Sequence, residues 1–398
     1  MTSLGNIEAT GLAAMTFVDF GSGDLLYLTG VAENLVGLPA RALMPRQNVL
    51  STLFVTGYIL VRDALPVRQR TGSTVERSPY SPPIKLLAEE IRENSGGLKD
   101  VDGTTATVSQ MELLSTTLAR FTFTTSNPIQ IQPGQAAVLD FTDLLGAQEY
   151  SHMASAGAEA RLNDDRIRTW TISSAHIDTN NNAIRAVPTT TFQLTMRLKE
   201  GGLVTGALFS IANQARSKKP DLLEDSTRLG ITARLVGISG SFNLPTPISG
   251  GVFQYPKMLW IAGGIGLTPF LSMLAAITSA SALSSPADIV MLLATREPDI
   301  LLALVAQVSG KAPRSDHFKL VLHLFSSQSI STKEIGENIT VVRHTHRFGD
   351  LSFDTLSIED LRGRKPYLCG PPTFESSALR LLEGQGIAGN VVREGFEY

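Results

Sequence analysis

After Pro256 the chain alternates short, almost wholly apolar runs with segments of helical length, and this pattern constrains the fold more than any other feature. The apolar runs are Met258–Ala262, Ile289–Ala294, Lys319–Phe325, Ile339–Arg343 and Lys365–Leu368; helices are expected near Thr268–Thr278, Ile300–Val308, Ser352–Leu356 and Phe374–Glu383. A strand that is apolar on both sides must be covered on both sides. Strands linked by helices in this way therefore predict a parallel sheet between two helix layers. Ligands of such sheets lie beyond the carboxyl ends of the strands.

The preceding stretch follows a different pattern. Between Met111 and Asn243 short β-like runs dominate: Met111–Leu114, Ala119–Thr124, Ala137–Phe141, Arg168–Ile172, Thr191–Leu198 and Thr232–Val236. Their number and turn spacing predict an antiparallel barrel, with one helix-like run at Leu203–Ile211 and a loop over 144–165. Nearer the start, Leu12–Phe20 and Leu25–Thr29 flank a Gly-Ser-Gly-Asp turn, and Leu53–Val61 follows. These predict a small antiparallel sheet that needs a partner surface. A polar, Pro- and Gly-broken linker with one short helix at Ile84–Glu90 separates the two regions. A chain of 398 residues has room for two or three cores. The expected divisions are 1–75, 76–108, 109–250 and 251–398.

Charge and cysteine usage exclude several functions. With 34 Lys and Arg against 37 Asp and Glu there is no broad basic field for nucleic acid. The single cysteine, Cys369, cannot form an internal disulfide, furnish a thiolate zinc site or hold an iron–sulfur cluster. The amino-terminal residues show no basic flank followed by an apolar core, so a cytoplasmic location is expected. Met258–Ile277 is uncharged, but its Gly-Gly-Ile-Gly and Thr-Pro interruptions indicate a buried strand, loop and helix, and no membrane span is expected.

The sharpest local signal is a strand running into Gly263-Gly264-Ile265-Gly266, then a helix opened by Thr268-Pro269. Glycines allow backbone N–H groups to approach a pyrophosphate, and a helix start adds free donors. A packing turn is the alternative. Cys369-Gly370-Pro371-Pro372 repeats this plan at a later strand end, where Cys369 suits either contact with a nicotinamide ring or simple burial. On the barrel, alternation sets Arg168 and Trp170 on one face, with Thr171 and Ile172 following. Arg168 is suited to a flavin phosphate and Trp170 and Thr171 to the flavin ring; a surface arginine beside a core tryptophan is the bland reading. Gly202, Leu203, Val204 and Thr205 begin a helix and form a second candidate phosphate cradle. The aromatic ending Phe396-Glu397-Tyr398 suggests docking on an apolar surface. His344 and His346 form at most a minimal metal pair, no metal site is expected, and His323 reads as a core residue. Ser326 and Ser327 suit either the edge of a nucleotide site or a turn. Arg296 could meet a ribose 2′-phosphate, which the adjacent Glu297 would repel.

In order, these motifs resemble the ferredoxin–NADP reductase-like (FAD-binding FR-type) flavoprotein oxidoreductases over residues 111–398. The family's Arg-x-Tyr-Ser/Thr strand is similar to Arg168-Thr169-Trp170-Thr171, with tryptophan in place of tyrosine. Its Gly-x-x-Ser/Thr helix start resembles Gly202-Leu203-Val204-Thr205, and its barrel-closing Gly-x-x-Gly-x-Phe resembles Gly237–Phe242. Its nicotinamide turn is similar to Gly263–Pro269 and its Cys-Gly-Pro to Cys369–Pro371. The tail Glu394–Tyr398 resembles the acidic and aromatic tails of some members.

The resemblance implies a flavin-binding antiparallel β-barrel followed by an α/β parallel-sheet nucleotide-binding domain, with FAD and NAD(P)H as cofactors. It places Cys369, Thr171, Glu394 and Phe396 at the reacting centre. Electron transfer to an external acceptor, a small molecule or a redox protein, is the implied activity; a non-catalytic nucleotide-binding or interaction protein of the same fold is the alternative. At the front, Ser3–Ile7, Phe17–Gly30 and Gly57–Arg62 resemble the latter part of a pyridoxamine-phosphate-oxidase-like split barrel. No second flavin site is expected in that partial split β-barrel.

Overall fold

The computed structural model describes residues 2–44, 47, 49–69, 87–90, 103–146, 164–178, 185–244, 255–279, 286–310, 318–330, 336–346, 348–350, 361–384, 386–387 and 391–395. By contact the chain forms two units, Met1–Gly97 with Ser151–Asp164, and Leu98–Tyr150 with Asp165–Tyr398.

The first unit holds helix α1 (Thr2–Thr10), strands β1 (Leu12–Val18) and β2 (Leu25–Val36), helix α2 (Leu38–Leu43) and strand β3 (Val49–Val61). The three strands form an antiparallel sheet in the order β1-β2-β3. Both β2 and β3 run further than the sequence pattern indicates, β2 continuing past Gly30 to Val36 and β3 starting at Val49. In the structure Gly30 sits where the β2–β3 ladder shifts register, and a Cβ there would lie 2.0 Å from the Phe54 carbonyl oxygen. Glycine here marks close backbone approach at a bulge, and the strand continues past it. The two helices were not apparent in the sequence; α2 starts at Leu38, with Pro39 in its first turn and Gly37, whose φ is 74°, as its N-cap. Of the expected helix at Ile84–Glu90, residues 88–90 are helical and 84–86 lie outside the described residues.

The second unit opens with β4 (Thr105–Leu113), β5 (Leu118–Gln130), β6 (Ala136–Asp140), β7 (Ile167–Thr171), the short ribbon β8 (Ile177–Asp178) and β9 (Arg185–Ala186), β10 (Pro188–Arg197), helix α3 (Leu203–Lys218) and β11 (Thr232–Ser239). Six of these strands form one sheet, β10-β5-β4-β11-β6-β7. Ile172, just past β7, bridges to Leu194 of β10, bringing the two edges of the sheet together as a barrel requires. Phe121, Phe123, Phe192 and Leu194 fill the interior, and Val204 and Leu208 of α3 cap it.

The same unit continues with β12 (Met258–Gly263), helix α4 (Thr268–Ser279), β13 (Ala287–Ala294), helix α5 (Pro298–Ser309), β14 (Phe318–Phe325), β15 (Ile339–His344), β16 (Lys365–Gly370), helix α6 (Pro372–Gly384) and β17 (Val392–Gly395). The strands pair in parallel in the order β15-β14-β13-β12-β16-β17, and every residue of the central β12 is buried. The fold is therefore an antiparallel sheet domain followed by a parallel-sheet domain, with a small antiparallel sheet at the front. The strand β17 was not apparent in the sequence, since four residues are too few to show a period. The expected helix at Ser352–Leu356 and most of the 144–165 loop lie outside the described residues.

One seam joins barrel and parallel sheet. Leu118 of β5 and Phe242, just past β11, belong to the same buried cluster as Trp260, Phe270 and Tyr367. The Phe242 ring meets Phe270 at 5.5 Å and Tyr367 at 5.4 Å, both edge to face. Ser272 of α4 accepts from the N–H of Gly134 at 2.8 Å. Gly134 has a φ of 99°, and a Cβ there would lie 1.9 Å from the Phe242 carbonyl oxygen.

Candidate functional site: a cavity at the carboxyl edge of the parallel sheet

The central strand β12 ends at Gly263, and Gly264–Leu267 form a single 3-10 turn that leads into α4. The Thr268 hydroxyl donates to the Ile265 carbonyl at 3.1 Å and tightens this turn. Three glycines at this edge are dictated by packing. A Cβ on Gly266 would lie 2.3 Å from the Cys369 carbonyl oxygen, and one on Gly263 or on Gly370 would lie 2.6 Å from the Phe374 ring. Gly264 differs: its φ is 55°, and nothing stands within 4 Å of where its Cβ would be. The packing reading of the motif thus accounts for Gly263, Gly266 and Gly370, and the turn left open at Gly264 is the part available to a ligand.

Beyond this edge lies a cavity of about 780 Å³. Gly263, Gly264 and Ile265 form one part of its lining, and Pro371 and Phe374 another. The ends of β13, β14 and β15 contribute Arg296, Ser326, Ser327 and His346, while the barrel contributes Arg197, Leu198 and Lys199. Of the residues singled out in the sequence, Gly263, Gly264, Ile265, Arg296, Ser326, Ser327, His346 and Pro371 therefore share this cavity. Gly266, Thr268 and Cys369 are buried behind it.

Arg197 gave no signal in the sequence. Glu297, at the start of α5, forms an ion pair with Arg197 and accepts from the hydroxyls of Ser115 at 3.1 Å and Thr117 at 3.2 Å. Three donors from the barrel thus engage the carboxylate that looked poised to repel a 2′-phosphate. Only the tertiary fold brings together residues about 100 and 180 positions apart in the chain.

On the other side of β12, the register pairs Cys369 of β16 with Glu394 of β17. Cys369 is fully buried, and burial, followed by the charges of Glu394 and Glu375, pushes its thiol well above the usual range. Such a thiol is a poor nucleophile. Burial also pushes the Glu394 carboxyl up to about 7. Arg393 lies 3.7 Å from Glu375 and offsets part of this negative charge. Phe396 lies outside the described residues.

Three histidines, His323, His344 and His346, group at β14 and β15, and His346 lines the cavity. His323 Nδ1 lies 3.0 Å from His344 Nε2, so the two imidazoles share a hydrogen bond. Burial, reinforced by His344, pushes His323 down to about 4. Burial and then His346 lower His344 as well. The Phe325 ring stacks on His344 at 4.5 Å. Among the described residues no group of three or more His, Cys, Asp or Glu is arranged to hold a metal ion.

On the barrel, Arg168 and Trp170 share one face of β7, and Arg168 Nη1 donates to the Ile167 carbonyl at 2.8 Å. Trp170 packs edge to face on Phe141 at 5.8 Å and against the barrel core, so it takes part of the core role in the bland reading. Thr171 and Ile172 are buried. Helix α3 starts at Leu203 with Gly202 as its N-cap and no side-chain cap, while the Thr205 hydroxyl accepts from the Lys199 N–H at 3.2 Å. Val204 and Thr205 are buried and Leu203 is half-buried. The free N–H groups at the start of this 16-residue helix suit an anion such as a phosphate.

Residues 260–380 match the family described as the oxidoreductase NAD-binding domain. The carboxyl-terminal part of the chain thus resembles an oxidoreductase NAD-binding domain over these residues, and it follows an antiparallel sheet domain. No curated protein matches the chain. Among solved structures, the chain is similar to the flavohem-like FAD/NAD-binding domain of nitric oxide dioxygenase from Vibrio cholerae O1 biovar El Tor, at 16% identity, covering 74% of this chain and 99% of that one with a TM-score of 0.43. The cytochrome b5 reductase domain of Ulva prolifera nitrate reductase is 20% identical, with 73% and 96% covered and a TM-score of 0.44. A ferredoxin NADP+ reductase from Neisseria gonorrhoeae is 15% identical, with 73% and 97% covered and a TM-score of 0.43. Among the described residues no helix is long and apolar enough to cross a membrane.

Proposed function

We propose that the chain is an FAD-dependent NAD(P)H oxidoreductase that passes electrons to an acceptor outside itself. The observation that carries this reading is the shared cavity: the glycine turn of an oxidoreductase NAD-binding domain and the end of barrel strand β10 line the same space. A nicotinamide ring and a flavin ring must meet across such a boundary, and 780 Å³ is ample for part of a dinucleotide.

The residues present fit both cofactors. Gly264 and the turn after it expose backbone to a pyrophosphate, while Lys199 supplies positive charge on the barrel side. For FAD, the uncapped start of α3 at Gly202–Thr205 and the Arg168 side chain would hold phosphates, and Trp170 and Thr171 would border the ring. When bound, the cofactors supply the hydride and electron chemistry themselves. The protein holds the two rings in contact and excludes water from between them. Glu394, half-buried opposite Cys369 with a carboxyl near neutrality, can hold or release a proton at the working pH.

The test is spectroscopic and calorimetric. Purified protein is expected to carry flavin absorbance that bleaches anaerobically when NADH or NADPH is added, and to bind the oxidised nucleotide by calorimetry. Flavin that is bound yet stays oxidised with both nucleotides would overturn the catalytic reading in favour of a non-catalytic binding protein.

A further inference from the structure

We propose that Glu297 is a positioning residue for transfer between nicotinamide and flavin: with Ser115, Thr117 and Arg197 it forms a clasp that sets the separation of the two cavity walls. This rests on the oxidoreductase reading above. Glu297 Oε1 accepts from the Ser115 and Thr117 hydroxyls, and Oε2 pairs with the Arg197 guanidinium. Arg197 Nη1 also donates to Thr117 Oγ1 at 3.3 Å, which closes the network. On the barrel side the Ser115 oxygen accepts from the N–H groups of Thr117 at 3.1 Å and Leu118 at 3.0 Å, so its own proton is left for Glu297.

The clasp joins the two walls at one point. Arg197 lines the cavity from the end of β10, and Thr295 and Arg296 line it from the end of β13. The segment that carries Glu297 is itself fixed: the Glu297 N–H donates to the Thr295 hydroxyl at 3.0 Å, and the Thr295 N–H donates to the Phe325 carbonyl at 3.0 Å. Toward the other end of α5, Arg120 of the barrel donates to Gln307 at 2.7 Å, so this helix is tied to the barrel at both ends. The apolar contacts of Phe242 hold barrel and sheet together but fix their spacing less sharply, because apolar attraction has no direction. Charge-assisted hydrogen bonds have one. Transfer between two rings depends steeply on their spacing, and a displacement of about 1 Å costs up to roughly a hundredfold in rate.

The full-length protein is compared with Glu297→Ala, Glu297→Gln and Ser115→Ala; neither residue is among the described residues that line the cavity. Single-turnover flavin bleaching at saturating NADH or NADPH is expected to slow about tenfold in Glu297→Ala. It should slow about threefold in Ser115→Ala and in Glu297→Gln, whose amide oxygen still accepts from both hydroxyls. Calorimetric affinity for the oxidised nucleotide should stay within about twofold or tighten, since Arg197 loses its partner and still lines the cavity. Adding Ser115→Ala to Glu297→Ala should slow bleaching no further, because members of one network are not additive. Hydrogen exchange should quicken at residues 115–118 and 297–301 and stay unchanged in α3. Should Glu297→Ala fail to fold, Glu297→Gln and Ser115→Ala carry the same comparison. Bleaching within about twofold of the wild type, equal losses of affinity and rate, or unchanged exchange at the clasp would overturn the inference and leave the oxidoreductase reading standing. Wild-type flavin that neither nucleotide bleaches would overturn that reading together with the inference.

Discussion

Glu394 offers a quantitative test of the β16–β17 edge. Its carboxyl stands opposite Cys369, and burial pushes it from the ordinary 4.5 up to about 7. Below pH 4.5 the group is protonated both folded and unfolded and adds no difference. As pH rises from there, the unfolded chain loses this proton first, so folded stability falls until the folded carboxyl also ionises near pH 7. A gap of about 2.5 pH units at roughly 1.4 kcal/mol each gives a loss on the order of 3 kcal/mol. Glu394→Gln keeps the size and removes the titration. The variant should therefore gain on the wild type by about 3 kcal/mol between pH 4.5 and 8, or roughly 6 °C in unfolding midpoint for a domain of this size. His323, pushed down to about 4 by burial and by His344, acts in the opposite sense: its contribution is present above about 6.5 and is lost as pH falls toward 4. It titrates in both proteins and cancels in the comparison. Thermal and urea unfolding of both chains in half-unit steps of pH supplies the difference. A difference that stays constant with pH would refute the burial of Glu394.

Gly266→Ala sets a Cβ 2.3 Å from a backbone oxygen that cannot rotate away, so it should cost about 1–3 kcal/mol in urea unfolding and weaken nucleotide binding measured by calorimetry. Gly264→Ala meets no atom within 4 Å and should cost only about 1 kcal/mol, from its positive φ; equal costs for the two would contradict the close approach of β12 and β16. Phe242→Ala empties a fully buried position where barrel and parallel sheet share a core, and should lose about 3–5 kcal/mol by thermal or urea unfolding. A loss under 1 kcal/mol would show that the seam does not depend on this ring.

Much of the architecture was legible because two periods write it plainly. Runs apolar on both faces, such as Met258–Ala262, can only be covered strands, and the structure buries every residue of that strand in the centre of a parallel sheet. Alternation and turn spacing likewise marked most of the barrel strands, although β4 begins at Thr105, six residues ahead of the run read at Met111–Leu114 and inside the expected linker, and Leu203 was recognised as the first residue of a helix that runs on to Lys218. The run of β2 past Gly30 was not legible, because a glycine at a ladder bulge and a glycine at a strand end look alike in one dimension. The strand Val392–Gly395 was hidden for another reason: its pairing with β16 is a tertiary event that leaves no mark on four residues.

The site divides along the same line. Sequence alone determined that a glycine turn joins a buried strand to a helix, since local sterics and chain flexibility dictate such a turn. It could not determine which glycines serve packing and which leave room for a ligand, because that depends on Phe374 and Cys369 approaching from another strand. Nor could it determine the direction in which Glu297 acts. Beside Arg296 in the chain it reads as a competing charge, and the barrel's Arg197, Ser115 and Thr117 draw it into the seam. Charges interact through space, so the electrostatic character of the cavity, cationic and without a described carboxylate in its lining, was decided by the tertiary structure.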